Sequence, residues 1–150
     1  MKKTMTIAAL AAAALLFTAC EKPPVAQAAA AVEVFTPAKA EGKEFKIDAA
    51  SSKITWIGTK VTGKHNGTIN LKEGSVFVKD GSIVAGKFVA DMASLDDKDL
   101  SGEYHDKLNK HLKSDEFFDV AKFPEGLFEI SAVEKSEKGA TIKGNLTLKG

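Results

Sequence analysis

From Phe45 onward, apolar and polar positions alternate with a period of two. Phe45 and Ile47 flank Lys46, Ile54 and Trp56 flank Thr55, Ile69 and Leu71 flank Asn70, and Val76 and Val78 flank Phe77. Phe88, Ala90 and Met92 alternate with Val89 and Asp91, and Phe128, Ile130 and Ala132 with Glu129 and Ser131. The cleanest run sets Ile142, Gly144, Leu146 and Leu148 against Thr141, Lys143, Asn145, Thr147 and Lys149. Successive side chains of a strand point to opposite faces, so each run predicts a strand with one apolar and one wet face. Asn66-Gly67, Glu73-Gly74, Asp80-Gly81 and Lys138-Gly139 tolerate positive φ and predict hairpin turns between the runs. Short strands joined in this way form an antiparallel meander, with Gly58, Gly86 and Gly144 marking bends or close approaches inside it. The predicted class is all-β, an antiparallel barrel with one helical connection.

That connection lies where the alternation stops. Tyr104, Leu108, His111 and Leu112 fall at helical spacing against Asp106, Lys107, Asn109 and Lys110, predicting a helix over Gly102 to Leu112. Ser114 with Asp115 and Glu116 predicts the N-cap and first turn of a second helical piece. The stretch from His111 to Phe128 is charged and irregular, yet it carries Phe117, Phe118, Phe123 and Pro124. Aromatic rings so placed cover something apolar, either a core beneath the helix or a ligand, and core is the favoured reading.

The N-terminal residues read as a targeting segment. Lys2 and Lys3 precede an apolar run, Met5 to Ala19, that is too short for a comfortable membrane span. Leu16-Phe17-Thr18-Ala19-Cys20 resembles the lipobox of bacterial lipoproteins, which implies a signal peptide over 1–19 and acylation of Cys20. Cleavage after Ala26-Gln27-Ala28 is the alternative. Cys20 is the only cysteine, so no intramolecular disulfide exists, and a lipid attachment point is its best explanation. Two or more acyl chains anchor stably, and the lipobox resemblance implies three. Glu21 in place of aspartate favours the outer membrane under enteric-type sorting. Residues 20–43, with Pro23, Pro24, an alanine run and Pro37, read as a flexible tether, a short helix over Ala26–Val32 being the alternative. One domain remains over 44–150.

Composition narrows the function. Without Lys2 and Lys3 the chain carries 19 lysines against 20 acidic residues and no arginine. Arginine is the usual bidentate reader of phosphates and base edges, so nucleic acid is excluded as a partner. The lysines on the polar face suit water better than a narrow lumen, which argues against a membrane-spanning barrel. His105 and His111 are six residues apart, on different faces of one helix, and make no zinc pair. Asp96, Asp97 and Asp99 lack the spacing of a calcium loop and read as a solvated approach to the helix. The third histidine is His65, and no nucleophile motif is present. No catalytic residue, metal site or cofactor is assigned, and the expectation is a protein that is not an enzyme.

Several blocks together resemble the YceI family. They are Phe45-Lys46-Ile47-Asp48, Ser52-Lys53-Ile54-Thr55-Trp56, the Thr62–Thr68 turn into Ile69, Gly86-Lys87-Phe88-Val89-Ala90-Asp91-Met92, the His111–Phe128 stretch, and Gly144-Asn145-Leu146-Thr147-Leu148-Lys149-Gly150. Ser51-Ser52 stands where family members often carry His-Ser, so no role passes to that position. Family members continue beyond the equivalent of Gly150, and the sequence reads as truncated before its barrel closes. The resemblance implies a lipocalin-like barrel in the periplasm that binds a polyisoprenoid or fatty-acyl chain. Its expected lining is Ile54 and Trp56; Ile69, Leu71 and Val76; Phe88 and Met92; Phe117 and Phe118; Phe128 and Ile130; and Ile142 and Leu146. Plain core packing is the alternative for every one of them, and a structural or protein-interaction lipoprotein with a self-filled core is the corresponding alternative function. The expected partners are the lipid and a membrane reached through Cys20, with a homodimer left open.

Overall fold

The computed structural model describes residues 33–137 and 139–150; Cys20, the signal segment and the first part of the tether lie outside the described residues. Six strands and one helix follow in order: β1 (Lys43–Lys46), β2 (Lys53–Lys60), β3 (Gly63–Lys79), β4 (Ser82–Asp97), α1 (Gly102–Lys113), β5 (Glu125–Ser136) and β6 (Gly139–Thr147). All pairings are antiparallel, in the order β1-β3-β4-β5-β6. The edge of β3 facing away from β4 is shared, β2 pairing along Gly63–Asn70 and β1 along Ser75–Val78. The all-β antiparallel class is therefore found, but the sheet is open: among the described residues β6 pairs with β5 alone.

Two of the four expected turns are hairpins. Asp80 (φ 49°) and Gly81 (φ 71°) connect Lys79 to its partner Ser82, the double positive φ that a two-residue hairpin requires. β5 and β6 meet at the pair Ser136 and Gly139. Asn66-Gly67 and Glu73-Gly74 are not turns; both lie inside β3, and the runs through Leu71 and Val76 are one strand. The β2–β3 hairpin closes earlier, between Lys60 and Gly63. Gly67 serves close approach instead of turning. A Cβ there would stand 2.1 Å from the Asp96 carbonyl oxygen and 2.5 Å from the Trp56 ring, so only hydrogen lets the indole lie over the strand.

The decisive irregularity is in β4. Asn70 pairs with Asp91 and Thr68 with Asp96, so Met92, Ala93, Ser94 and Leu95 stand opposite the single residue Ile69. Side chains replace the interrupted ladder. Asp91 Oδ1 accepts from the Ala93 N–H (3.0 Å), Ser94 Oγ donates to the Asp91 carbonyl (2.6 Å), and the Asn70 N–H donates to Ser94 Oγ (2.8 Å). The bulge turns both Met92 and Leu95 inward, where they join Ile69, Ala90 and Val120 in a buried cluster. Ile54, Trp56, Leu112 and Phe118 pack against that cluster, so α1 and the connector after it cover this end of the sheet.

Two expectations about the connector change. Ser114 is the C-cap of α1, its N–H (3.1 Å) and Oγ (2.7 Å) both donating to the His111 carbonyl, because lysines and a histidine already end the helix there. The residues beyond it form turns, with the Phe117 and Asp119 N–H groups donating to the Ser114 carbonyl. The acidic approach to α1 is also not wholly solvated. Asp97 is only 2% exposed, because its N–H donates to Asn109 Oδ1 of α1 (2.9 Å) and draws the strand end under the helix.

Leu95, 1% exposed, is the centre of the covered end. Leu95→Ala should lower unfolding stability by about 2–5 kcal/mol, whereas the exposed Ile57→Ala should change it by less than about 0.5 kcal/mol. Chemical denaturation of both variants checks this. Equal losses would mean that the bulge is not the seat of the core.

Candidate functional site

Cross-strand register sorts the thirteen expected lining residues into distinct settings. Ile54, Trp56, Ile69, Met92 and Phe118 belong to the packed cluster beneath α1. Phe117 stays half exposed on the connector, edge-on to Phe118 (4.7 Å between centroids) and to His111 (5.8 Å). The remaining seven lie on the sheet itself.

Those seven follow the pairing. Phe88 pairs with Phe128 and Phe128 with Leu146, making an apolar row across β4, β5 and β6. The two rings stand 6.3 Å apart at 33°, within the range of favourable aromatic pairs. On one side of this row, Leu71 pairs with Ala90 and Ala90 with Gly126, whose Cα faces the Leu148 side chain. On the other side, Val76 pairs with Gly86, and Ile130 lies against Gly86 and pairs with Gly144. A Cβ on Gly144 would come within 2.7 Å of the Phe128 ring, so the glycine lets that ring lie across β6. By alternation Ile142 shares the face of Gly144 and Leu146.

Exposure rises along this face. Ile130 is fully buried and Phe88 and Phe128 are half-buried, but Ile142 is 44% and Leu146 63% exposed. The face is thus sealed at the α1 end and open toward β6. The other face is mixed: it buries Ala85 and Val89, and a groove of about 390 Å³ is lined by charged Glu44, Lys46, Lys72, Glu73 and Lys87 together with apolar Ile47, Ala49 and Val89. Lys72 pairs with Glu125, and Lys143 with Glu134.

Polar contacts hold α1 over the closed end. His105 Nε2 lies 2.9 Å from Asp96 Oδ1, and Asn109 Nδ2 donates to the same oxygen at 2.8 Å. Lys98, His105 and Asn109 together hold the Asp96 carboxyl down at about 2. Asp106 and Asp96 raise the His105 imidazole above its ordinary 6.5. Alternation missed Leu95 and Val120 as core residues, and it set buried Val89 on the wet side with Asp91. Leu95 is out of phase because of the bulge, and Val120 sits in a turn with no periodicity to reveal it.

An antiparallel meander with one apolar face and a single helical connection is the architecture of a lipocalin-like barrel, here open along β6. The chain matches the YceI-like domain over residues 45–150. A UPF0312 protein of Yersinia enterocolitica is 33% identical over 125 residues, covering 78% of this chain and 60% of the relative. UPF0312 proteins of Yersinia pestis and Yersinia pseudotuberculosis are 32% identical with the same coverage. The chain belongs to the YceI family. It spans about 60% of the length of these relatives.

The α1 contacts give stability a defined pH window. His105, raised in the fold, contributes fully below its unfolded value of 6.5, and that contribution fades as pH rises through the folded value. Asp96, depressed in the fold, contributes fully above 3.8 and loses its contribution as pH falls toward about 2. Thermal unfolding followed across pH should therefore show these contacts at full strength between about pH 4 and 6.5. His105→Gln should flatten the alkaline arm; an unchanged profile above 6.5 would remove His105 from this role.

Proposed function

We propose that this protein binds a long apolar lipid, a polyisoprenoid or fatty-acyl chain, against the apolar face of β4, β5 and β6, without catalysis. The observation that carries the reading is the continuous row Phe88–Phe128–Leu146, which ends in apolar side chains left open to solvent. Contiguous exposed apolar surface on a folded domain marks a place where something binds. Membership of the YceI family supports the same reading.

The physics of such a ligand is adequate. Each methylene removed from water contributes roughly 0.8 kcal/mol, so about ten carbons contribute about 8 kcal/mol before the lost freedom of both partners is subtracted. The setting is the bacterial envelope, with the domain in the periplasm and held to a membrane, the outer one favoured, by acyl groups on Cys20. Lys2, Lys3, the apolar run to Ala19 and the Cys20-Glu21 junction support this placement. A second reading, an envelope lipoprotein with a self-filled core, is favoured by the five expected lining residues that pack beneath α1.

Native mass spectrometry of the full-length protein separates the two. A carrier retains a stoichiometric lipid mass or takes up an added long prenyl alcohol or palmitate. Ile142→Glu with Leu146→Glu changes exposed positions, so the fold should persist while affinity for the added chain falls at least about tenfold. A protein that purifies without lipid and takes up neither probe would rule out the carrier reading.

A further inference from the structure

β4 ends at Asp97, which pairs with Gly67 of β3 just before the chain turns toward α1. Oδ1 of the buried Asp97 accepts the N–H groups of Asp99 (3.2 Å) and Leu100 (2.7 Å). Its Oδ2 is buried and, like the buried Trp56 indole Nε1, has no hydrogen-bond partner. A carboxylate oxygen removed from water without a donor is unfavourable unless a cation or proton meets it.

The surrounding groups point to a cation. Asp99 Oδ1 accepts the Asn66 N–H (2.6 Å), while its Oδ2 lies 2.9 Å from His65 Nδ1. The Lys98 N–H donates to the Asn66 carbonyl (2.9 Å), fixing β3 against the segment that carries both aspartates. One ligating atom each from His65, Asp97 and Asp99 lies within 4.8 Å of the other two. The nearby ammonium of Lys98 is engaged by Asp96, so it does not neutralise the pair.

We propose that His65, Asp97 and Asp99 bind a divalent transition-metal ion of the zinc class, with the buried Asp97 carboxylate as the anchor. Two carboxylates balance the charge of the ion, and the imidazole nitrogen selects zinc-like ions over calcium or magnesium. Three protein ligands leave a fourth tetrahedral position for water. Ligand atoms around tetrahedral zinc stand about 3.3 Å apart, so the 2.9 Å His65–Asp99 contact opens by a few tenths of an ångström and separations of up to 4.8 Å close by as much as about 1.5 Å. His65 then carries its proton on Nε2 and presents the Nδ1 lone pair. The expectation drawn from sequence spacing, that no metal site exists, does not anticipate this cluster, because His65 comes from β3 and the aspartates from the end of β4 and the bend after it.

Full-length protein stripped with a chelator and titrated with Zn²⁺ by calorimetry at neutral pH should bind one ion per chain. Asp97→Asn keeps a carbonyl oxygen for the Asp99 and Leu100 N–H groups, and His65→Gln alters a partly exposed side chain. Each should weaken binding at least about tenfold. His111→Gln, whose ring lies against Glu116 and Phe117, should bind as the parent does. Trp56, the only tryptophan, pairs with Gly67, whose partner on the other side is Asp97, so Co²⁺ should quench its fluorescence in the parent and not in His65→Gln. Circular dichroism confirms that each variant is folded. Absence of Zn²⁺ binding, or parental affinity in folded His65→Gln, would overturn the assignment.

Discussion

A single sheet built from alternating residues has one face that must leave water, and this chain brings one helix to cover it. The bulge in β4 makes that cover possible. By setting four residues opposite Ile69, it projects both Met92 and Leu95 from the same face and gives α1 and Val120 something to pack on. A regular ladder would have turned one of the two toward solvent. The dry end of the molecule thus depends on a defect in its pairing, and that defect is kept by three hydrogen bonds from Asp91 and Ser94.

The helix itself contributes little burial. None of its residues is fully buried, and Ser101 at its N-cap makes no side-chain cap bond. What holds it is a combination of Leu112 on the core cluster and the polar contacts of His105 and Asn109 with Asp96 and Asp97. Asn109 does two jobs here, accepting from the Asp97 N–H and donating to Asp96. Docking of the helix and termination of β4 are therefore one event. This coupling also explains why Asp97 is buried while its neighbours keep contact with water: the strand end is pulled beneath the helix to satisfy its backbone.

Much of the sheet was legible from period-two alternation, since Phe88, Phe128 and Leu146 do share a face and a row. The turns were less legible. Asn66-Gly67 has the sequence of a hairpin, but its glycine answers a steric need, the Trp56 ring lying over the strand, that only the partner strand reveals. Leu95 was hidden because a bulge resets the phase, and a phase shift leaves no mark in a sequence read two residues at a time. Asp97 looked like one of three solvated acids because burial there comes from Asn109, twelve residues on. Each miss has the same physical origin: a contact between segments overrode the local pattern.

The open side of the sheet poses two separate demands that are easily merged. The backbone groups along the free edge of β6 can be satisfied by water, and Lys143 and Lys149 near that edge discourage pairing with another chain. Asn145 adds to this by bonding the Phe35 backbone in both directions (2.8 and 2.6 Å), and the Ile130 carbonyl, beside a register shift, accepts from Ala38. The side chains of Ile142 and Leu146 have no such recourse, since water cannot satisfy hydrocarbon. The unmet demand therefore lies with the face and not with the edge. A slender apolar chain relieves it without needing to donate or accept a single hydrogen bond. On the proposed reading, such an occupant is recognised by its shape and lack of polarity, and discrimination among lipids falls to the polar margins of the sheet.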